Sequence, residues 1–141
     1  MSSELSRRLQ AKMEAAHRTL GMRLHRVRDM LDGNRAWEEL GSELEMLRRE
    51  LEQHFVLEET ECYMKVEGMD PVQWDRIRGL AREHEEMLAE LARIQGAFSA
   101  DLRLVVRADL AVYLKRLSQH ERAEERIVQE AYGNLAGAPQ A

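Results

Sequence analysis

The chain has 141 residues, of which 44% are apolar and 33% charged, and its formal net charge is −5. The length predicts one domain with a substantial core, and the apolar fraction excludes a disordered chain. The negative charge disfavours nucleic acid and anionic membranes as main partners, and no apolar run approaches the roughly 20 residues that span a bilayer. Because Cys62 is the only cysteine and Met1–Lys12 has no apolar core of a signal peptide, we expect a cytoplasmic protein.

Apolar residues recur at helical spacing from about Glu4 to the Asp-Gly-Asn turn at residues 32–34, which predicts one long amphipathic helix. His17 lies within the apolar stripe, whereas His25 is expected to face water. Gly21 is one turn after His17 on the same face, where it either makes room beside the imidazole or is simply tolerated.

A second helix is predicted from about Arg35 to Val66. Its inward stripe is Trp37, Leu40, Leu44, Leu47, Leu51, His54, Glu58 and Cys62. His54 and Glu58 continue the line of the leucines, so both side chains are expected to point into the core. A carboxylate in that position is costly unless another group compensates its charge.

The third helix is predicted from Pro71 to about Gln95, with His84 in the middle of its apolar stripe. Asp70 is a good N-cap, proline suits the first helical position, and Gln73 is placed to complete a capping-box arrangement.

Gly96 and Ser99 indicate the next turn, with Ser99 as the expected N-cap of a fourth helix from about residue 100 to residue 132. Its inward stripe is Leu102, Val106, Leu110, Tyr113, Leu117, His120, Glu124, Ile127 and Ala131. Gly133 and Asn134 are expected to end the helix, and residues 136–141 to form a short disordered tail.

Four helices of roughly 26 to 33 residues with short connections predict an all-α fold, an up-down-up-down antiparallel four-helix bundle formed by residues 1–135. Counting residues from the predicted turns places His17, His54 and His84 at similar depth in this bundle, because an α-helix rises about 1.5 Å per residue.

The pattern His-x-x-x-Glu occurs twice, at His54 and Glu58 and again at His120 and Glu124. A histidine and a glutamate four residues apart lie on one face of a helix. A lone histidine on an apolar face is more often a hydrogen-bonded core residue than a ligand. Four inward histidines by chance is roughly a one-in-eighty event, however, since an apolar stripe covers about a third of a helix.

The predicted ligand set is therefore His17, His54, Glu58, His84, His120 and Glu124. Nitrogen and oxygen ligands favour Fe, Mn or Zn over a thiolate-rich site, and six of them exceed what one tetrahedral zinc needs. Two carboxylates able to bridge suit a pair of irons. The order His-then-Glu differs from the Glu-x-x-His of ferritin-like bundles.

These residues, with Phe55 and Glu59 beside the first motif, make the sequence resemble the hemerythrin-like family, the HHE cation-binding domain, over about residues 10–132. The resemblance implies a carboxylate-bridged di-iron centre held by the six residues. A single Fe, Zn or Mn ion stays an alternative.

One position departs from the oxygen-carrying members of the family, which have a second histidine on the third helix where this chain has Leu88. Glu125 is a runner-up ligand for the vacancy, and Met87 and Leu88 are expected to form an apolar wall. Outside the ligand set, Cys62 is expected to be a buried small side chain rather than a redox-responsive thiol. For Tyr113 we expect core packing with a satisfied hydroxyl, and Asp109 is a candidate for orienting a ligand histidine.

The leading functional hypothesis is a non-haem di-iron protein that binds O2, NO or a similar small ligand for sensing, storage or protection. One alternative is a metalloenzyme that turns over peroxide or nitric oxide or donates iron for repair. A second is a helical partner-binding module with a structural metal. A sensor would need a separate protein partner, and the sequence predicts neither a nucleic-acid nor a membrane partner.

Overall fold

A computed structural model of the protein describes residues 2–33, 37–63 and 70–136. The helices are α1 (Ser2–Asp32), α2 (Trp37–Leu57), α3 (Pro71–Ser99) and α4 (Arg103–Ala136), with a π-helical segment (Glu58–Tyr63) continuing α2. Each long helix packs against its two neighbours in the bundle. The predicted all-α four-helix bundle is confirmed, and the described ranges contain no strand.

The interior consists of two apolar clusters separated along the bundle axis by a polar layer. One, here called the upper cluster, includes Leu44, Leu47 and Leu51 of α2. The other, here called the lower cluster, includes Ile77 of α3 and Ile127 of α4. In every helix the predicted histidine lies between residues of the upper cluster and residues of the lower one. Burial of the two clusters therefore holds the four histidines at one level.

The start of α3 follows the predicted signals in part. The carboxylate of Asp70 accepts a hydrogen bond of 2.9 Å from the amide of Val72, and Pro71 occupies the first turn. The capping box is wrong, because Oε1 of Gln73 is buried without a hydrogen-bond partner instead of reaching back to Asp70.

The predicted turn between α3 and α4 is wrong by several residues. Gly96 and Ser99 both belong to α3, and the chain reverses at residues 100–102. Asp101 has φ of 58°, a left-handed conformation that aspartate tolerates better than most residues. Leu102 precedes α4 and is 51% exposed, so it does not join the inward stripe.

Gly33 directly follows the end of α1, as predicted, but Gly96 does not end α3, because packing outweighs its cost of about 1 kcal/mol relative to alanine. Beyond Gly96, Phe98 stacks on Trp37 of α2 with ring centroids 4.6 Å apart. At the other end, α4 continues through Gly133 and Asn134 to Ala136. The predicted end of the second helix at Val66 and residues 137–141 of the predicted tail lie outside the described residues.

No helix in the described ranges is long and apolar enough to cross a membrane. His25 is exposed, as predicted from its position beside the apolar stripe. Cys62 is 3% exposed within the lower cluster, which confirms the expectation of a buried small side chain.

The same substitution is expected to act in opposite directions at two helical glycines. A Cβ at Gly21 would meet no atom within 4 Å, so Gly21 makes no room for His17. Gly21→Ala should stabilise the protein by about 1 kcal/mol. A Cβ at Gly41 would lie 2.5 Å from Cε1 of Phe98, and overpacking of this kind costs about 1–3 kcal/mol.

Gly41→Ala is therefore expected to lower the free energy of unfolding by up to about 2 kcal/mol, despite its gain in helix propensity. Urea denaturation of both variants beside the parent protein measures the two changes. Equal stabilisation by both would show that the Phe98 ring moves aside at no cost.

Candidate metal centre

The polar layer contains six side chains that converge from all four helices. They are His17, His54, Glu58, His84, His120 and Glu124. Each is at most 9% exposed. The structure thus brings together the complete set of residues predicted as ligands, at one depth between the two apolar clusters.

A first cluster consists of His17, His54, Glu58 and Glu124, whose candidate ligand atoms all lie within 4.8 Å of one another. Nε2 of His17 lies 2.7 Å from Oε1 of Glu124 and 3.1 Å from Oε2 of Glu58. Nε2 of His54 lies 3.2 Å from Oε1 of Glu58. Two imidazoles and two carboxylates therefore face the same point.

A second cluster consists of His84, His120 and again Glu124. Oε2 of Glu124 lies 3.5 Å from Nε2 of His84 and 3.7 Å from Nε2 of His120. Glu58 also reaches toward this cluster, with Oε1 3.5 Å from Nε2 of His84. Both carboxylates stand between the clusters, as a bridging role requires.

The second cluster contains two histidines, His84 and His120, and would contain a third if residue 88 were also a histidine. Leu88 packs against the upper apolar cluster instead. Glu125 does not fill the gap, because its Oε1 contacts Nδ1 of His17, on the outer side of that ring, at 2.9 Å.

Tyr63 also lies at the second cluster, and it was not among the predicted site residues. Its hydroxyl donates a short hydrogen bond to Oε2 of Glu124 and lies 3.2 Å from Nε2 of His84. On a regular α-helix Tyr63 would point roughly 140° away from Glu58, five residues earlier. The π-helical segment spans both residues, and its i to i+5 repeat places them on one side. No signal in the sequence indicated this change of period.

Carboxylates also contact the outer nitrogens of three histidines. Besides the contact between Glu125 and His17, Oε2 of Glu83 lies 3.0 Å from Nδ1 of His120, and Oε2 of Glu59 lies 3.4 Å from Nδ1 of His84. Such contacts fix the tautomer and aim the other nitrogen, Nε2, at the centre. Asp109, the predicted orienting group, is not among these neighbours.

Electrostatics divide the polar layer into charged and neutral groups. Burial alone would lower the pKa of His17, but hydrogen bonds to Glu124 and Glu58 outweigh it and raise that pKa to about 11. Burial lowers the pKa of His54, which favours its neutral form. Burial and the adjacent Glu124 raise the pKa of the Glu58 carboxyl well above its usual range.

Burial also opposes ionisation of Glu124, but the adjacent Glu58 carboxyl and the imidazoles of His120, His17 and His84 hold its pKa well below the usual range. Glu124 is therefore the anionic centre of the layer.

Several buried atoms that face this centre have no hydrogen-bond partner among the described residues. They include Nε2 of His54, Nε2 of His120 and Oε1 of Glu58. Leaving buried polar atoms unsatisfied costs about 1–3 kcal/mol each, and bound cations satisfy groups of this kind. The donor atoms are imidazole nitrogens and carboxylate oxygens, which suit first-row divalent metals. The residues present thus fit a metal.

Comparison with family models decides the assignment. A model described as the hemerythrin HHE cation-binding domain matches residues 8–132. The chain belongs to the hemerythrin HHE family. The matched span contains every residue of both His/Glu clusters, and it confirms the resemblance seen in the sequence. Comparison with curated proteins and with solved structures gave no significant match.

This hemerythrin-like domain is therefore a metal-binding four-helix bundle, on the agreement between its family and its buried cluster. A groove of about 370 Å³ between α1 and α2 is lined by His54 together with Ala16, Leu20 and Leu57. The groove thus borders the first cluster at His54.

Proposed function

We propose that this hemerythrin-like domain is a non-haem di-iron protein that binds O2, NO or a similar small ligand. The observation that carries the proposal is the presence of two buried His/Glu clusters that share Glu124. The biological role that follows is sensing, storage or protection, in line with the family. When bound, the iron pair would supply the redox and small-ligand chemistry.

The donor set supports two ions rather than one. His17 and His54 would hold the first ion, and His84 and His120 the second. A single tetrahedral zinc takes four ligands, whereas two clusters sharing a carboxylate match a carboxylate-bridged pair. Glu58 and Glu124 would bridge, because each presents oxygens to histidines of both clusters.

The protein side chains would also set the environment of a bound ligand. Tyr63 places an O–H donor at the second cluster, beside His84. Phe55 stacks on His84 with ring centroids 3.8 Å apart, so an aromatic face covers that imidazole. The groove walls at Ala16 and Leu57 admit a small molecule. These features favour binding of a diatomic ligand over a large substrate.

The test is metal content per chain after expression in iron-replete medium, followed by visible spectra of the reduced anaerobic protein before and after exposure to O2 or NO. His84→Ala is the test variant. His25→Ala is its matched control, since His25 is an exposed histidine outside both clusters.

The proposal expects two irons per chain, a spectral change on ligand addition, and loss of both properties in His84→Ala but not in the control. Iron or zinc without any ligand-dependent spectrum would indicate a structural metal. Steady-state turnover of peroxide or nitric oxide would favour the enzyme alternative. A protein that contains no metal would show that the two clusters are only a buried polar network.

A further inference from the structure

The hydroxyl oxygen of Tyr63 lies among the candidate ligand atoms of the second cluster. It is 3.2 Å from Nε2 of His84, and it donates a short hydrogen bond to Oε2 of Glu124. Those two atoms are themselves 3.5 Å apart. Neighbouring ligands of an octahedral ion with bonds of about 2.1 Å are about 3.0 Å apart. The three atoms are therefore close enough together to bind one ion.

Packing holds the hydroxyl at this place. Tyr63 is 3% exposed and belongs to the lower cluster. Its ring lies beside the imidazole of His84, with ring centroids 5.6 Å apart and planes inclined by 22°. The π-helical segment directs the side chain inward. Because the ring is enclosed, the hydroxyl cannot turn to water, and it faces any ion that binds at His84 and Glu124.

The other polar atoms at this cluster leave a position for a further ligand. Nε2 of His120 is buried without a hydrogen-bond partner among the described residues, 3.7 Å from Oε2 of Glu124. Two imidazoles and two bridging carboxylates would supply four donor atoms to a metal here, and iron held by imidazole and carboxylate ligands keeps open positions. The hydroxyl of Tyr63 is placed to occupy one of them.

We propose that Tyr63 is a ligand of the iron at the second cluster, and that it binds ferric iron through its phenolate oxygen. The inference rests on the proposed function, since it requires iron. A phenolate oxygen is a hard anionic donor, and tyrosine is an axial ligand of haem iron in other proteins. The Fe–O bond replaces the O–H bond: the proton leaves to water, no electron is transferred, and the hydrogen bond to Glu124 is lost.

This ligand should depend on the oxidation state of the iron. In the metal-free protein the hydroxyl keeps its proton and donates a hydrogen bond to Glu124. A bound cation favours the deprotonated form of a group that coordinates it, and ferric iron does so more strongly than ferrous iron because its charge is larger. The phenolate should therefore form on ferric iron and return to the phenol when the iron is reduced.

Resonance Raman spectroscopy of the iron-loaded, air-oxidised protein tests the proposal. A phenolate bound to ferric iron gives a visible charge-transfer band, and excitation in that band enhances the ring vibrations of the tyrosine. We expect these vibrations in the parent protein, a frequency shift when the protein is produced with ring-deuterated tyrosine, and loss of the band on reduction with dithionite. The isotope shift identifies a tyrosine ligand without any substitution that could disturb the fold.

Two variants identify which tyrosine it is, with each spectrum scaled to the iron content of its sample. Tyr63→Phe keeps the ring in the lower cluster and should lose the tyrosine vibrations. Tyr113→Phe is the matched control, because the hydroxyl of Tyr113 is buried in the upper cluster and has no hydrogen-bond partner among the described residues. It should keep the vibrations. Tyrosine vibrations that persist in Tyr63→Phe would overturn the assignment.

Failure of this inference is distinguishable from failure of the proposed function. Two irons per chain, with a spectrum that responds to O2 or NO but contains no tyrosine vibrations, would overturn the Tyr63 ligand and leave the di-iron proposal standing. A chain that takes up no iron would overturn both.

Discussion

Glu124→Gln is expected to abolish metal binding, because Glu124 is common to both His/Glu clusters of the described residues. Glutamine keeps the size of the side chain but removes the charge and one acceptor oxygen. Changes to groups that only orient a ligand typically cost 10–100-fold in metal affinity. Loss of a carboxylate that faces both ions should cost more than about 100-fold, which elemental analysis after dialysis would register as metal-free protein.

The same variant should destabilise the metal-free protein. Nε2 of the protonated His17 lies 2.7 Å from Glu124, and both side chains are almost completely buried. Removing one partner of a buried ion pair costs about 3–5 kcal/mol, and the contacts of His17 with Glu58 and Glu125 place this case at the lower end. Urea denaturation of chelator-treated protein measures the loss.

The control for Glu124→Gln is Glu130→Gln, the same chemical change on the same helix at an exposed position. It should keep the metal content of the parent protein and nearly the same free energy of unfolding. Parent-like metal content in Glu124→Gln itself would contradict a shared carboxylate. Loss of only one ion per chain would assign Glu124 to one cluster alone.

Most of the fold and of the candidate site could be predicted from two spacings. One is the helical repeat of apolar residues, and the other is the four-residue step from each histidine to its glutamate. Leucines repeat at the helical period up to His54, and Glu58 follows four residues later on the same face of the helix. Both polar side chains therefore had to point into the core, as the leucines do. The second pair, His120 and Glu124, continues the buried line of Leu117 in the same way. Burial of the apolar residues then fixed the depth of each histidine along the bundle axis, because an apolar cluster lies above it and another below it.

The residues that the sequence did not reveal are those where the helical period changes or where tertiary packing overrides local preference. Tyr63 faces the centre only because the segment that follows α2 is π-helical. Its i to i+5 repeat changes the direction of the side chains after Glu58. Ser99 and Gly96 read as turn residues, yet the stack of Phe98 on Trp37 keeps them helical. The hydroxyl of Tyr113 was expected to find a hydrogen-bond partner, but it is buried without one in the part of the chain that the structure describes.

Those two buried tyrosines provide the second large expected effect. Tyr63→Phe removes a hydroxyl that donates to Glu124 and lies 3.2 Å from Nε2 of His84 in the second cluster. We expect metal affinity to fall by about 10–100-fold, mainly at the second cluster. The substitution removes the hydrogen bond that orients Glu124, and it makes the surroundings of His84 less polar. Competition with a chelator of known affinity, read as ions retained per chain, measures the loss.

Tyr113→Phe is the matched control, since it makes the same change at a tyrosine that is 0% exposed and whose hydroxyl has no hydrogen-bond partner. Removing an unsatisfied buried hydroxyl relieves a desolvation cost of about 1–3 kcal/mol, so this variant should be as stable as the parent or more stable, with metal content unchanged. Tyr63→Phe should instead weaken metal binding without loss of helix content, because the ring still fills its place in the lower cluster. Equal metal affinity in the two variants would show that the Tyr63 hydroxyl merely packs beside the centre. A deficit confined to Tyr63→Phe would make the π-helical segment, which alone brings that hydroxyl to Glu124, a part of the metal site.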